Sequence, residues 1–167
     1  LTPSIARSYK LGSERFSELP GVRTSKTSSP DVGPCHGEPI LFETADASFL
    51  ENEELHHELF GPSTVFVRCS SPAAMLAVAQ ALEGSLTATI HGTPGDLEES
   101  RTLIRTLSRK AGRLILNGFP TGVEVCAAMQ HGGPFPSTTD SRFSSVGTDA
   151  IKRFARPVAF QSFPNAL

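Results

Sequence analysis

The chain has 167 residues, of which 38% are hydrophobic and 19% are charged, and its formal net charge is −2. This length supports one domain with a hydrophobic core, and the small charge provides no long-range attraction to nucleic acid or to an anionic membrane. No apolar run approaches the roughly 20 residues that span a bilayer. The first residues resemble neither a start methionine nor a signal peptide. We therefore expect a cytoplasmic protein without nucleic-acid or membrane partners, entered part-way through a longer chain.

The three cysteines, Cys35, Cys69 and Cys126, are odd in number and widely separated. No CxxC pair is present, so the sequence indicates neither a disulfide framework nor a zinc site, and we expect reduced thiols. The adjacent His56 and His57 lack the i, i+4 spacing of a helical zinc site. We therefore predict no metal site.

The chain begins with a predicted helix followed by a predicted loop. Thr2 and Pro3 are typical of a helix start, and Pro20-Gly21 is expected to end the helix. Gly12 in its middle costs about 1 kcal/mol relative to alanine. Residues 24–34 are rich in Ser, Thr, Gly and Pro, which predicts a surface loop.

Farther along, short apolar runs alternate with amphipathic segments. Strands are predicted at Ile40 to Phe42, Thr64 to Cys69, Leu86 to His91 and Leu114 to Leu116. Between them we predict a short acidic helical segment at 51–55 and a helix from Ser71-Pro72 to Gly84. A further helix is predicted to begin at a capping box of Asp96 and Glu99 and to end at Gly112. Alternation with short connections indicates right-handed crossovers. The predicted fold class is α/β, with a three-layer open, mostly parallel sheet, crossover helices and a C-terminal oligomerisation strand.

A long segment rich in Gly, Pro, Ser and Thr, residues 118–148, follows the last of these strands. A loop of this length in a compact domain is usually functional or disordered. Its aromatic residues Phe119, Phe135 and Phe143 look buried, which favours a functional loop. Ligands of open parallel sheets bind outside the carboxyl ends of the strands, where this loop begins.

The end of the chain predicts a short helix capped by Thr148 and then a strand from Pro157 to Phe163. A terminal strand has an unpaired edge, and pairing with the sheet of another subunit covers it. We therefore divide the chain into a catalytic-domain part, residues 1–156, and an oligomerisation strand and tail, residues 157–167.

The stretch from His57 to Pro62 combines a carboxylate, an aromatic ring two residues later and a Gly-Pro corner ahead of a strand. Glycine tolerates positive φ and proline fixes its own φ, so the corner changes the chain direction sharply. Our interpretation is that Glu58 and Phe60 face a ligand. The alternative is a surface carboxylate beside a core phenylalanine.

The sequence also contains residues that bear on thiol chemistry and on phosphate binding. Cys126 and His131 are close in sequence and would suit a thiol hydrolase, although a catalytic thiol also needs a nearby base and oxyanion donors. The glycines of His131-Gly132-Gly133-Pro134 look like loop residues. No glycine-rich phosphate-binding fingerprint follows a strand.

In combination, several of these motifs resemble the carboxyl-terminal third of the aldehyde dehydrogenase superfamily. The resemblance runs from end to end of the chain. It rests on Glu58-Leu59-Phe60-Gly61-Pro62, the stretches 117–125 and 131–136, Ser141-Arg142 and Ser145-Val146-Gly147-Thr148. The later motifs are similar to the branch that acts on 2-oxoglutarate semialdehyde (2,5-dioxopentanoate), with long-chain aldehyde relatives.

The resemblance implies an oxidoreductase that converts an aldehyde to a carboxylic acid through a cysteine thioester, with NAD or NADP as cofactor. By this resemblance Glu58 holds the nicotinamide ribose hydroxyls, and Phe60 packs beside the nicotinamide end. Phe119, Pro120, Thr121, Gly122 and Phe135 are expected to form one wall of the aldehyde entrance. The strand from Pro157 to Phe163 is expected to form a homo-oligomer.

The departures from the family pattern concern the catalytic groups. The nucleophilic cysteine, the oxyanion asparagine, the general-base glutamate and the nucleotide-binding domain are all expected upstream. None of the three cysteines of this chain stands at the nucleophile's place. We therefore expect a fragment that is catalytically silent alone; the alternative is a non-enzymatic α/β self-association module.

Overall fold

The computed structural model describes residues 1–26 and 33–164. The chain divides into two compact units, one of residues 1–83 with Ser100–Thr106, the other of Gly84–Glu99 and the chain from Leu107 onward. The helices are α1 (Pro3–Glu18), α2 (Asp46–Glu51), α3 (Pro72–Ala81), α4 (Pro94–Glu99) and α5 (Arg101–Lys110), with 3₁₀ turns at Glu53–His56 and Thr148–Phe154. The strands are β1 (Arg23–Lys26), β2 (Ile40–Ala45), β3 (Ser63–Arg68), β4 (Ser85–Ile90) and β5 (Ala111–Leu116). No described helix is both long and apolar enough to cross a membrane.

The predicted first helix is confirmed, including its start. The Thr2 side chain accepts a hydrogen bond from the Ile5 amide at 3.3 Å, and Pro3 occupies the first turn, where its missing N–H costs nothing. One face of α1, including Tyr9 and Phe16, is buried. Phe16 meets Phe42 of β2 edge to face, with 5.4 Å between the ring centroids. α1 therefore covers the first sheet.

The first sheet has the order β1-β2-β3. β2 and β3 are parallel and begin with Ile40 opposite Ser63, whereas β1 runs antiparallel to β2. The prediction of a loop from residue 24 was wrong for residues 24–26, which belong to β1, because Thr and Ser suit an edge strand and Arg23 pairs with Glu43 across the ladder at 2.6 Å. The rest of that predicted loop, except residues 33 and 34, lies outside the described residues.

The hydrophobic core of the first unit lies between α1, β2 and the segment before the Gly-Pro corner. Phe42 is completely buried. The buried cluster comprises Tyr9, Phe16, Ile40, Phe42, Phe49 and Leu55. This core holds the turn that precedes Glu58.

The second unit contains β4 and β5, which pair in parallel from Ser85 opposite Ala111 to Ile90 opposite Leu116. The single helix predicted between these strands is two helices, α4 and α5. The capping box was predicted at Asp96 and Glu99, but it is formed by Thr93 and Asp96. The amide and hydroxyl of Thr93 donate to the Asp96 carboxylate at 2.8 and 2.7 Å, and the Asp96 amide donates back to Thr93. Gly112 was expected to end the helix, but it lies within β5.

The predicted α/β class with open parallel sheets is confirmed, although the described strands form two sheets instead of one. The expected strand from Pro157 to Phe163 is not formed in the single chain, because a strand ladder requires a partner backbone. Its bulky residues are exposed, and the rings of Phe160 and Phe163 meet edge to face at 5.2 Å. Pairing with another subunit stays a prediction.

Candidate functional site

The Gly-Pro corner is held by Tyr9 of α1. The Tyr9 hydroxyl donates to the backbone carbonyls of Glu38 at 2.7 Å and Pro62 at 3.2 Å. The Tyr9 ring also lies so close to Gly61 that a Cβ there would overlap it. Gly61 is therefore required for close approach of the corner to the helix. The amide of Ile40 donates to Pro62 at 3.0 Å, which ties the corner to the sheet.

Leu59 points into the protein, whereas its two neighbours point outward. Leu59 packs against the core of the first unit, and a Cβ added at Gly12 would lie 2.5 Å from Leu59 Cδ1. Glu58 and Phe60 on either side are exposed, Phe60 by 62%. The chain leaves the preceding turn in extended conformation at His57, and successive side chains of an extended segment alternate in direction. Phe60 is therefore not a core residue, which favours the ligand-facing interpretation.

Two shallow depressions meet at Glu58 and Phe60. One is also lined by Leu1 and residues 35–37, and the other by the first turns of α1 from Ser4 to Tyr9. Within residues 1–26 and 33–164, no hydrogen bond or ion pair engages the Glu58 carboxylate. Both oxygens of Glu58 are thus available to a ligand's hydroxyl groups.

The two histidines before Glu58 contact protein groups. His56 Nε2 lies 2.9 Å from the Phe49 carbonyl, and the His56 and Phe49 rings contact each other at a tilt of 39°, with centroids 4.6 Å apart. His57 Nδ1 lies 3.2 Å from the Glu83 carboxylate. Among the residues that the structure describes, no group of three or more His, Cys, Asp or Glu side chains could hold a metal ion. The histidines therefore belong to the support of the Glu58 segment.

Replacing Tyr9 by phenylalanine is expected to destabilise the protein by about 1–3 kcal/mol, because the Glu38 carbonyl loses the Tyr9 donor and the Pro62 carbonyl keeps the Ile40 amide but loses the hydroxyl. Burial raises the pKa of the Tyr9 phenol above its ordinary 10.0, a hydrogen bond with Ser63 lowers it in part, and the charge of Glu38 raises it further. A raised folded-state pKa means that this stabilisation is complete below pH 10 and is lost as the pH rises through the folded-state pKa. The stability difference between wild type and Tyr9→Phe should therefore narrow above pH 10.

Tyr9 is the single tyrosine and the chain has no tryptophan, so phenolate absorbance reports Tyr9 directly. We expect its titration midpoint above 10.0 in the folded chain. A midpoint at or below 10 would contradict the burial of the Tyr9 hydroxyl.

Gly12→Ala is expected to lower stability by about 1 kcal/mol, the opposite of the gain that helix propensity alone predicts. The added methyl would overlap the Leu59 Cδ1 methyl and disturb the packing of that side chain against the core. The matched control is Gly95→Ala in α4, where the nearest atom to a new Cβ is 3.7 Å away. Urea unfolding should show a loss for Gly12→Ala and none for Gly95→Ala; equal gains would show that Leu59 does not depend on Gly12.

In the second unit, Asn117 joins the carboxyl ends of β4 and β5. Its backbone φ is +50°, its amide donates to Ile90 O at 2.9 Å, and its side chain bonds both the amide and the carbonyl of Gly92 at 2.9 Å. Phe119 follows and packs against His91, with ring centroids 5.4 Å apart. Phe119 is 78% exposed, so the expectation of a buried ring was wrong. It lies at the sheet edge where ligands of parallel sheets bind.

The stretch His131 to Phe135 lies at the opposite end of these strands. A Cβ at Gly112 would overlap the Gly132 carbonyl, and a Cβ at Gly84 would overlap the Phe135 carbonyl. Gly132 and Gly133 lie in a loop, as the sequence predicts, but they are buried there at positions of close backbone approach. Phe135 itself is 81% exposed.

The structure therefore does not bring all five predicted entrance residues together. Phe119, Pro120, Thr121 and Gly122 follow the carboxyl end of β5, and all four are exposed to solvent. The Phe135 backbone lies at the amino end of β4, which is about 17 Å away along a six-residue strand. The sequence reasoning missed this separation, because only the glycine contacts reveal it.

His131 has a partner that the sequence did not indicate. Its Nδ1 lies 2.9 Å from Ser145 Oγ, and Ser145 Oγ also donates to the His131 carbonyl at 3.0 Å. The buried Ser144 hydroxyl accepts from the His131 amide at 3.0 Å and donates to the Val146 carbonyl. Within the described part of the chain, no hydrogen bond joins the Cys126 thiol to His131. These contacts order the loop and do not favour a thiol hydrolase.

Comparison with known proteins gives close relatives in sequence. No protein-family profile matches the chain. It is 46% identical over 167 residues to Alpha-ketoglutaric semialdehyde dehydrogenase 2 of Azospirillum brasilense, and 40% identical over 168 residues to Alpha-ketoglutaric semialdehyde dehydrogenase of Acinetobacter baylyi. Each alignment covers 100% of this chain and 32% of the relative. The chain thus spans about a third of the length of the curated relatives it matches.

Two solved structures of an aldehyde dehydrogenase resemble the fold of this chain. An apo betaine aldehyde dehydrogenase of Staphylococcus aureus matches 90% of this chain and 28% of its own, with a TM-score of 0.61 and 13% identity. A structure of the same enzyme in complex with NAD⁺ matches 90% of this chain and 29% of its own, also with a TM-score of 0.61 and 13% identity.

The fold is therefore that of a part of a solved aldehyde dehydrogenase. Over the whole of this chain and about a third of the relatives, the sequence similarity is to alpha-ketoglutaric semialdehyde dehydrogenases, which confirms the resemblance predicted from the motifs.

Proposed function

We propose that this chain is part of an NAD- or NADP-dependent aldehyde dehydrogenase that oxidises 2-oxoglutarate semialdehyde to a carboxylic acid. In it, Glu58 would hold the nicotinamide ribose and Phe60 would lie beside the nicotinamide. The observation that carries the proposal is the outward pair of Glu58 and Phe60 at the corner that Tyr9 holds, in a chain that is 46% identical over its 167 residues to part of a semialdehyde dehydrogenase. The reactive cysteine and the nucleotide-binding domain are expected outside this chain.

The residues present fit the cofactor. The Glu58 carboxylate is unengaged by described residues and can accept hydrogen bonds from two neighbouring ribose hydroxyls. Phe60 offers an apolar ring, 62% exposed, on the same side of the chain. The nicotinamide, when bound, accepts the hydride. The corner held by Tyr9 and Leu59 would keep Glu58 fixed, so that the cofactor is oriented before reaction.

The second unit would supply part of the aldehyde path. Phe119, Pro120, Thr121 and Gly122 form an exposed segment at the carboxyl end of β5 and would line the entrance. Phe135, at the other end of β4, belongs to the proposed entrance set on the basis of the resemblance alone. We further propose a cytoplasmic homo-oligomer, paired through the segment from Pro157 to Phe163.

The alternative of a non-enzymatic self-association module is not favoured. The sequence relatives of this chain are named as dehydrogenases, and the similarity extends over the whole of this chain. The exposed Phe160 and Phe163 suit association equally well in an enzyme.

The test is a graft, defined as the Azospirillum brasilense enzyme in which this chain replaces the matching third. We expect the graft to reduce NAD⁺ or NADP⁺ with 2-oxoglutarate semialdehyde, whereas the 167-residue chain alone should show no such activity. Reduced cofactor is measured by its absorbance. A graft with a cooperative thermal transition and bound cofactor but no cofactor reduction would contradict the proposal, as would activity of the chain alone.

A further inference from the structure

Arg113 of β5 reaches the loop that follows its own strand. Its Nη1 donates to the Gly122 carbonyl at 3.0 Å and lies 3.8 Å from Met129 Sδ. One nitrogen thus contacts both ends of the segment from Gly122 to Met129. The guanidinium is a rigid planar group with no acceptor, so its position sets the position of the carbonyl that it binds.

The charge of Arg113 has no acidic partner in the described part of the chain. None of the ion pairs among residues 1–26 and 33–164 involves Arg113, and its buried Nε lacks a hydrogen-bond partner there. Burying a donor of this kind without a partner is unfavourable. An apolar side chain of similar length would avoid that cost, so the arginine is best explained by the carbonyl that it holds.

Gly122, whose carbonyl Arg113 binds, is not fixed by close packing. A Cβ added at Gly122 would meet no atom within 4 Å, so close contacts do not fix Gly122. The other end of the exposed segment is fixed by Asn117, through its hydrogen bonds to Ile90 and Gly92. Residues 118–121 therefore span two polar anchors, and Arg113 provides the second.

We propose that Arg113 is a positioning residue that holds the wall from Phe119 to Gly122 in the conformation required for aldehyde entry. The anchoring follows from the contacts of Arg113, whereas its importance for aldehyde entry rests on the proposed function. The experiment therefore has one arm for each.

The first arm measures alkylation of each cysteine by iodoacetamide in the 167-residue chain. Cys126 is half-buried between Gly122 and Met129, and Cys35 and Cys69 in the first unit are internal controls. Arg113→Met, which keeps most of the stem and removes the donors, should raise the Cys126 rate about tenfold and leave the control rates unchanged. An unchanged Cys126 rate would overturn the proposal.

If Arg113→Met unfolds the chain, all three cysteines will react faster and the first variant will not isolate the loop. Arg113→Lys is the second variant, which tests the proposal in that case. Lysine keeps the charge but not the fork, so a smaller rise, about threefold and selective for Cys126, is expected. A rise at all three cysteines, or at none, would overturn the proposal.

The second arm compares the kinetics of the graft that keeps Arg113 with those of the graft that carries Arg113→Lys. In the variant, the aldehyde KM should rise about tenfold while kcat and the cofactor KM stay within about twofold. A fall in kcat without a change in the aldehyde KM would overturn the role in aldehyde entry. An inactive graft with native Arg113 would instead refute the proposed function, and the Cys126 rates would still decide whether Arg113 anchors the loop.

Discussion

Replacing Glu58 by glutamine in the graft is expected to lower kcat by about 100-fold, with the aldehyde KM changed by less than about threefold. Glutamine has nearly the same shape, but one carboxylate oxygen becomes an NH₂ donor that cannot accept a ribose hydroxyl proton. The ribose would then be held by one acceptor, and the nicotinamide would sample orientations unsuited to hydride transfer. Single-turnover measurements with deuterated and protiated aldehyde separate hydride transfer from binding.

The matched control is Glu54→Gln, which removes one exposed carboxylate from the 3₁₀ turn just before Glu58. The control should retain the wild-type hydride-transfer rate. Equal rates for Glu58→Gln and wild type would refute the ribose role of Glu58. Equal losses in both variants would show a general effect of charge near the cofactor.

Gly112→Ala is expected to destabilise the second unit by about 3 kcal/mol or more. A methyl group at this position would overlap the backbone carbonyl of Gly132, and a backbone atom cannot move aside as a flexible side chain can. Gly132 and its neighbour Gly133 are buried against the amino ends of β4 and β5, so the displacement would spread through the stretch from His131 to Phe135.

The control for this prediction is Gly122→Ala, because a Cβ at Gly122 would meet nothing within 4 Å. Urea unfolding should give a large loss of unfolding free energy for Gly112→Ala and a small change for Gly122→Ala. A similar small change in both would contradict the close approach of the His131 stretch to β5.

Features that depend on neighbouring residues were predictable from the sequence. Thr2 and Pro3 mark the start of α1 by chemistry that acts within one turn, and the structure has the helix beginning at Pro3. Regular apolar spacing likewise located β3 and β4 to within one residue at each end and α3 to within three.

Features that depend on distant residues were not predictable. Gly12 looked unfavourable for helix formation, and its purpose is visible only because Leu59, far along the chain, packs over it. β1 was taken for a loop because its Ser and Thr side chains become strand residues only once β2 lies beside them. Gly112 looked like a helix end, and its requirement comes from Gly132.

At the candidate site, too, local features were predictable from the sequence and features that depend on distant residues were not. The motif located Glu58 and Phe60 and the corner that follows, but did not show which side chains point outward. The packing of the partly buried Leu59 over Gly12 and the hydrogen bonds of the Tyr9 hydroxyl decide that question, and both involve residues of α1. For the entrance, the sequence grouped Phe119 with Phe135 because they share one loop, whereas the strands place them at opposite ends.

The most direct test of the ribose role of Glu58 is a crystal structure of the graft with NAD⁺ bound. We predict both Glu58 carboxylate oxygens within about 3 Å of the two hydroxyls of the nicotinamide ribose, with the Phe60 ring beside the nicotinamide. A structure in which other residues bind those hydroxyls, while Glu58 faces solvent, would contradict it.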